Sequence, residues 1–242
     1  MKLLVGGKGG AGKSAVSILI TRELSKHGKA ILMDADESNR LLPKSLGVES
    51  VDTIANYLGG RSQVRKGLED HVKVHMSKIP DDYISRTNDG ITYVAVGKIE
   101  EYGEGCACPY GFLSKELLKR IELQPDEYLI VDAEAGIEHL GRGVEEGIDR
   151  IIVVIDPTAE GVAIAKKLAS EAERIGKPIH LVLNKMTPEV EKVMMEKLES
   201  ERLKPDAVIG YDSKIFQSSL RGGELKAGVA SEAISSFVDS IL

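Results

Sequence analysis

A run of glycines, two lysines and a serine lies near the start of the chain, and these residue types in this order suit phosphate binding. The run is Gly7-Lys8-Gly9-Gly10-Ala11-Gly12-Lys13-Ser14, followed by Ala15. Glycines let successive backbone N–H groups approach phosphate oxygens, because no Cβ blocks them. Lys13 adds a mobile charge for the outer phosphates, and the Ser14 hydroxyl is a ligand of the type that Mg²⁺ takes. The run predicts a site for the phosphates of a nucleotide with Mg²⁺; a glycine-rich turn with a chance lysine is the alternative.

Two aspartates follow short apolar segments in the way that the carboxylates of a nucleotide site do. Asp36 comes after the apolar residues 30–33, and Asp132 comes after 128–131. Asp132 has the form of a Walker B aspartate, which holds Mg²⁺ through its water shell, and the N–H of Gly136 would then contact the γ-phosphate. Either aspartate alone could be a helix N-cap or a loop residue. Their combination with the glycine loop favours the nucleotide site.

The only two cysteines, Cys106 and Cys108, are separated by one residue. A disulfide across one residue is strained, so a structural bridge is not expected. Two thiolates at this spacing can face one soft metal ion, but they leave its coordination shell incomplete. In a two-fold dimer the same loop from each subunit supplies four sulfurs to one ion on the axis. The candidates are nickel or zinc, with an iron–sulfur cluster as a third option and two inert, small apolar residues as the alternative.

Apolar segments alternate with helical patterns along most of the chain. Strands are predicted at 2–5, 30–33, 91–96, 128–131, 151–155 and 180–183, and helices at 14–27 and at roughly 113–121, 138–147, 159–175, 187–200 and 229–242. This alternation predicts an α/β fold, with one doubly wound, mainly parallel sheet and helices on both faces. We expect a single P-loop domain over residues 1–242, with its ligand at the carboxyl ends of the strands.

Residues 48–90 fit this pattern least well. They are rich in charge, contain Gly59-Gly60, and are compatible with short helices and a strand. His71 and His75 could share a helix face and bind a metal, but the residues between them also alternate as in a half-exposed strand. We favour the strand, which places both imidazoles on the solvated face.

Composition limits the classes of function. The 242 residues are 42% hydrophobic but only 4% aromatic, so the core must consist of aliphatic side chains, as in buried parallel strands. The net charge of −6 disfavours a broad nucleic-acid interface. The chain has no run of eighteen apolar residues, and its first predicted strand leaves no room for a signal peptide. We therefore expect a cytoplasmic protein that binds neither nucleic acid nor membrane.

Lys8 is an extra lysine that the basic phosphate-loop motif does not require. A lysine at this place resembles the deviant Walker A signature of the family that includes MinD, ParA, the nitrogenase iron protein and the arsenite-pump ATPase. The resemblance implies an ATP-dependent homodimer in which this lysine reaches the partner's phosphates, unless it is only a solvated surface lysine. It also implies catalytic roles for Lys8, Lys13 and Asp36, with Asp36 positioning the attacking water.

The resemblance also implies contacts to the adenine base. Asn184 follows the predicted strand 180–183 and corresponds to a residue that recognises the base, although it is also a common turn residue. Tyr211 and Asp212 resemble a later base-contacting loop that usually contains a proline, which this chain lacks at that place.

Three segments resemble one particular group within this large family. Residues 97–100, 105–109 and 132–143 resemble the CooC family of nickel-associated ATPases. This resemblance implies a cycle in which ATP closes the dimer, the paired cysteines capture nickel, and hydrolysis releases it to carbon monoxide dehydrogenase or a related nickel enzyme. Two other functions stay open: a positioning ATPase of the MinD or ParA type, and a redox ATPase with an iron–sulfur cluster.

Overall fold

The computed structural model describes residues 1–60, 63, 66, 68, 73–99, 108–133 and 144–242, without the side chains of residues 108, 144 and 145. A sheet of eight strands forms its centre, in the order β3-β4-β2-β5-β1-β6-β7-β8. The strands are β1 (Lys2–Gly7), β2 (Lys29–Ala35), β3 (Ser85–Arg86), β4 (Thr92–Ala95), β5 (Glu127–Ala133), β6 (Arg150–Ile155), β7 (Ile179–Met186) and β8 (Ala207–Gly210).

All pairings in the sheet are parallel except that of the two-residue edge strand β3 with β4. The register sets Asp34 directly beside Asp132 on neighbouring strands. Because the strands are parallel, both carboxylates lie at the same edge as the end of β1. The connections that follow β1, β5 and β2 therefore start side by side at this edge.

Helices cover both faces of the sheet. The α-helices are α1 (Lys13–Leu24), α2 (Leu42–Leu46), α3 (Ile54–Tyr57), α4 (Cys108–Arg120), α5 (Ala159–Arg174), α6 (Pro188–Ser200), α7 (Ser213–Arg221) and α8 (Ala230–Ile241). Short 3-10 helices occur at Met76–Lys78, Asp81–Tyr83 and Val144–Gly147.

The core has two layers, because alternate residues of a strand point to opposite faces. On β1, Leu3 and Val5 face one layer, together with the apolar sides of α1 and α8, and Leu4 faces the other layer, with α4, α5 and α6. Removal of these aliphatic side chains from water is the main favourable term for such a domain.

The predicted fold class is confirmed, and the six predicted strands and most of the helices are present. The helix predicted at 113–121 begins earlier, at Cys108, because a proline in the first turn of a helix loses no hydrogen bond. β8 and α7 were not predicted, since both are short and α7 has no buried residue. Most of the helix predicted at 138–147 lies outside the described residues, and its end is the 3-10 helix Val144–Gly147.

The described part of segment 48–90 contains α3, two 3-10 helices and the short strand β3, in agreement with the short helices and strand expected there. A single parallel bridge joins Val74 to Ile121, and the Nε2 atom of His75 lies 3.8 Å from a carboxylate oxygen of Glu122. The predicted strand around residues 71–75 is thus reduced to this bridge in its described part. His71 lies outside that part.

Candidate active site at the carboxyl end of the sheet

The glycine loop joins β1 to α1, and its shape requires glycine at specific positions. Gly7 has φ +136°, and a Cβ there would lie 2.3 Å from the carbonyl oxygen of Val154. Gly12, which precedes α1, has φ +96°, and a Cβ there would lie 2.4 Å from Nδ2 of Asn184. Any other residue at these two positions would combine backbone strain with a steric overlap. α1 has no acidic residue in its first turn, so the positive end of its dipole faces the loop uncompensated by its own side chains.

The carbonyl groups of the loop are bonded within the protein. Nζ of Lys13 donates to the carbonyl of Lys8 at 3.3 Å, and Nζ of Lys185 donates to that of Gly10 at 2.6 Å. Nδ2 of Asn184 donates to the carbonyl of Ala11 at 2.9 Å. These bonds fix the loop before any ligand binds, which lowers the ordering cost of binding.

Asn184 therefore has a position that the sequence did not suggest. Its Nδ2 binds the loop, and its Oδ1 accepts a hydrogen bond from the backbone N–H of Lys185 at 3.0 Å. Lys185 has φ +65°, at the point where the pairing of β7 with β8 is irregular. The side chain of Asn184 thus links β7 to the glycine loop by hydrogen bonds, and its contact with a base stays a prediction.

Lys8 is paired with carboxylates of its own chain. Its Nζ lies 3.3 Å from Oδ2 of Asp156 and 3.3 Å from Oε2 of Glu160, and it donates to Oγ1 of Thr158 at 3.3 Å. The hydrogen bond to Glu160 raises the pKa of Lys8 most; the smaller effect of burial lowers it, and Asp156 raises it further. These three partners were not predicted from the sequence. Asp156 directly follows β6, so the strand-end criterion that selected Asp36 and Asp132 would have found it.

Asp132 is completely buried beside the start of α1. Its Oδ1 accepts a hydrogen bond from Oγ of Ser17 at 2.8 Å, whereas its Oδ2 is buried with no hydrogen-bond partner among the described atoms. Burial raises the pKa of Asp132 to about 6, against the lowering effect of the Ser14 and Ser17 hydroxyls, and Asp34 adds to the increase. An orphaned carboxylate oxygen near the hydroxyl of Ser14 is a donor set of the kind that Mg²⁺ prefers, so these residues fit the ion.

Asp36 lies in a loop that contacts the start of α1. Its Oδ1 accepts hydrogen bonds from the backbone N–H of Ser38 at 2.9 Å and from that of Asn39 at 3.2 Å. Nδ2 of Asn39 in turn donates to Oγ of Ser14 at 3.0 Å. The structure thus brings the loop of Asp36 and the phosphate loop together, as the strand ends predicted.

A cavity of 350 Å³ adjoins the glycine loop between α1, the end of β7 and α7. Tyr211 and Phe216 line it with half-exposed rings whose centroids are 6.1 Å apart. Its wall also includes the aliphatic side chains of Val16, Leu19 and Ile209. A mainly apolar slot with two aromatic rings suits the flat face of a base. Phe216 and Ile215 were missed, because α7 was not predicted.

Asp212 lines this cavity, but both of its carboxylate oxygens accept hydrogen bonds from backbone N–H groups. Its Oδ1 accepts from the N–H groups of Lys214 and Ile215 at the start of α7, and its Oδ2 accepts from those of Gly228 and Ala230. Although burial opposes it, these hydrogen bonds lower the pKa of Asp212. Asp212 is thus the N-cap of α7 and a clamp on the following loop, and its predicted base contact has no support from this arrangement.

Three predicted site residues are not tested by the geometry. Gly136, Cys106 and the side chain of Cys108 lie outside the described residues. Within the described part, no group of three or more His, Cys, Asp and Glu side chains is arranged to hold a metal ion. Across the same part of the chain, every helix is too short or too polar to cross a membrane.

A phosphate loop between the central strand and the first helix of a parallel sheet defines a P-loop nucleotide-binding protein. Residues 2–225 match the CobQ/CobB/MinD/ParA nucleotide binding domain. An uncharacterized ATP-binding protein of Methanocaldococcus jannaschii is 39% identical over 238 residues, which cover 94% of each chain. The carbon monoxide dehydrogenase accessory protein CooC of Rhodospirillum rubrum is 31% identical over 203 residues, which cover 79% of this chain and 76% of that protein.

The fold is also similar to that of the septum site-determining protein MinD of Pyrococcus horikoshii, solved with Mg-ADP. The TM-score is 0.69 at 19% identity, over 100% of this chain and 96% of that chain. The chain belongs to the CobQ/CobB/MinD/ParA family, and it is a P-loop ATPase of that family.

Proposed function

We propose that this ATPase is a metallochaperone that dimerises with ATP, binds a metal ion between its subunits and assists insertion of that ion into a nickel enzyme such as carbon monoxide dehydrogenase. One observation carries the proposal: Cys106 and Cys108 form a Cys-x-Cys pair in a chain that is 31% identical to a carbon monoxide dehydrogenase accessory protein. The functional unit is the whole chain, 1–242, as one P-loop domain in each of two subunits.

In this proposal the nucleotide site works by placement and charge. The backbone of residues 7–12 and the dipole of α1 bind the phosphates, and Lys13 neutralises charge on the outer ones. Ser14 and Asp132 would hold Mg²⁺, which would supply further charge neutralisation when bound. Asp36 orients the attacking water, and the aromatic cavity with Tyr211 holds the base.

The pairing of Lys8 supports a link between hydrolysis and dimerisation. In the single chain its ammonium group lies against Asp156 and Glu160, which follow β6. A partner's phosphates would replace these carboxylates with anions of higher charge, so the exchange requires no desolvation of an unpaired lysine. Hydrolysis would then proceed only where two chains meet.

The metal would be the cargo of this cycle. Each chain supplies two sulfurs, and a two-fold dimer supplies four, which completes a square-planar shell for Ni²⁺ or a tetrahedral one for Zn²⁺. Closure by ATP would form the shell and hydrolysis would open it, which would release the ion to the client enzyme.

The test is a titration of the reduced protein with Ni²⁺ or Zn²⁺, with and without a non-hydrolysable ATP analogue, while the mass of the particle is measured. We expect one ion per two chains, bound tightly only by the dimer. The variant Cys106→Ser/Cys108→Ser should still dimerise but lose the ion, and His71→Ala/His75→Ala is the control for the other metal motif. Equal affinity in the cysteine variant would refute the proposal.

A positioning ATPase of the MinD or ParA type is the second candidate, favoured by the family and by the shared fold. The same titration distinguishes this candidate from the metallochaperone, because a positioning ATPase would dimerise with ATP and take up no metal. The apolar face of α8 is buried in the core through Ile234, Phe237 and Val238, so this helix does not present an apolar face for a membrane. An iron–sulfur redox ATPase, the third candidate, would show visible absorption after anaerobic purification.

A further inference from the structure

Lys98, just beyond β4, has its whole ammonium group enclosed by three acceptors. Its Nζ donates to Oδ2 of Asp34 at 2.7 Å, to the carbonyl of Asp36 at 2.5 Å and to the carbonyl of Asn39 at 2.5 Å. An ammonium group has three N–H donors, so all of them are used. The side chain of Lys98 is only 13% exposed. A lysine fixed in this way orders the two carbonyls as well as its own stem.

Asp34 provides the counter-charge for the buried ammonium group of Lys98. Its carboxylate is fully buried, and it also accepts from the hydroxyl of Tyr93 at 2.8 Å and from the backbone N–H of Asp36 at 3.2 Å. Burial raises the pKa of Asp34, while Lys98 and then Tyr93 lower it. Removal of Lys98 alone would leave a buried carboxylate without its counter-charge.

The two carbonyls belong to the loop that the proposed function uses. In the proposed function, Asp36 of this loop orients the attacking water, and Nδ2 of Asn39 donates to Oγ of Ser14 at 3.0 Å. The residue after Lys98 strengthens the connection: the N–H of Ile99 donates to the carbonyl of Glu37 at 3.2 Å, and Arg40 donates to the carbonyl of Ile99 at 2.9 Å. Segment 98–99 therefore contacts loop 36–40 near both of its ends.

We propose that Lys98 is a positioning residue for ATP hydrolysis: by binding the carbonyls of Asp36 and Asn39 it holds the Asp36 loop against the start of α1. This inference rests on the proposed role of Asp36. The phosphate loop itself is fixed by Lys13, Lys185 and other groups, so loss of Lys98 affects turnover more than nucleotide binding. A different explanation is that Lys98 only neutralises Asp34, which would make it a structural residue.

A pair of variants separates the two explanations. Lys98→Met keeps most of the apolar stem of the side chain but removes its charge and donors, and Lys98→Met/Asp34→Asn also removes the charge that Lys98 neutralises. Lys2→Met is the matched control, since Nζ of Lys2 also donates to a backbone carbonyl, that of Leu118, far from the site. The readouts are kcat and KM for MgATP, together with the melting temperature.

We expect kcat to fall at least about tenfold in both Lys98 variants while KM changes by less than about threefold. The melting temperature should fall in Lys98→Met and recover in the double variant, which therefore carries the test if the single variant does not fold. Recovery of kcat to within about twofold of the parent in the double variant would overturn the inference. A rise in KM with unchanged kcat would overturn it as well.

Failure of the underlying function has a different signature. If Asp36→Ala hydrolyses ATP at the parental rate, the proposed role of Asp36 is wrong whatever the Lys98 variants do. If Asp36→Ala is inactive and the double Lys98 variant is fully active, only the positioning role of Lys98 is wrong.

Discussion

The buried carboxylate of Asp132 gives a prediction about stability and pH. Burial raises its pKa from 3.8 to about 6, so the folded chain resists its ionisation. Since one pKa unit corresponds to 1.36 kcal/mol, the ionised group destabilises the metal-free fold by about 3 kcal/mol at pH 8. This penalty is fully present above pH 6 and disappears as the pH falls through 6 towards 3.8. At pH 5 roughly half of it remains.

The variant Asp132→Asn cannot titrate, and it isolates this effect. Its unfolding free energy relative to the parent should decrease by about 1 kcal/mol from pH 8 to pH 5, whatever the amide costs by leaving its own N–H group without a partner. Urea unfolding of both proteins at several pH values, in EDTA and without nucleotide, measures the difference.

The exposed Asp126, changed to Asn, provides the matched control, since it loses a carboxylate at the surface rather than in the core. A difference between Asp132→Asn and the parent that is constant from pH 5 to pH 8 would refute the argument from burial. Addition of Mg²⁺ with ADP should stabilise the parent by about 2.7 kcal/mol at a ligand concentration of a hundred times Kd, and the variant by less.

Three further predictions concern the glycine loop, the extra lysine and the clamp of α7. Gly7→Ala should unfold at a lower urea concentration than Gly10→Ala. Both variants carry backbone strain of about 1–3 kcal/mol, but of the two only the Cβ at Gly7 overlaps a backbone carbonyl, that of Val154 at 2.3 Å. Equal urea midpoints would contradict this. Lys8→Met should still fold but lose at least about tenfold in ATP turnover, and parental turnover would exclude its cross-subunit role. Asp212→Ala should lose about 2–4 kcal/mol in urea unfolding, since four backbone N–H groups lose their acceptor; a loss under about 1 kcal/mol would show that solvent replaces it.

The strands and the phosphate loop were predictable because their signals are local. Continuous apolar segments mark buried parallel strands, and a glycine run before an apolar helix marks a phosphate loop. α7 was missed for a related reason: its apolar residues Phe216 and Leu220 are exposed, so no core periodicity marks the helix. The helix starts at the side chain of Asp212, which accepts hydrogen bonds from the N–H groups of Lys214 and Ile215.

The sequence by itself determined the chemistry that is available: a run of glycines after the first strand, a lysine and a serine at the start of a helix, and carboxylates at strand ends. Only the tertiary structure decided which of these groups meet. Lys8 and Asp156 are 148 positions apart, and Lys98 and Asp34 are 64 apart. Such pairs depend on which strands are neighbours and in what register, and that order results from packing of the whole sheet between its helices. No short pattern in the chain encodes it.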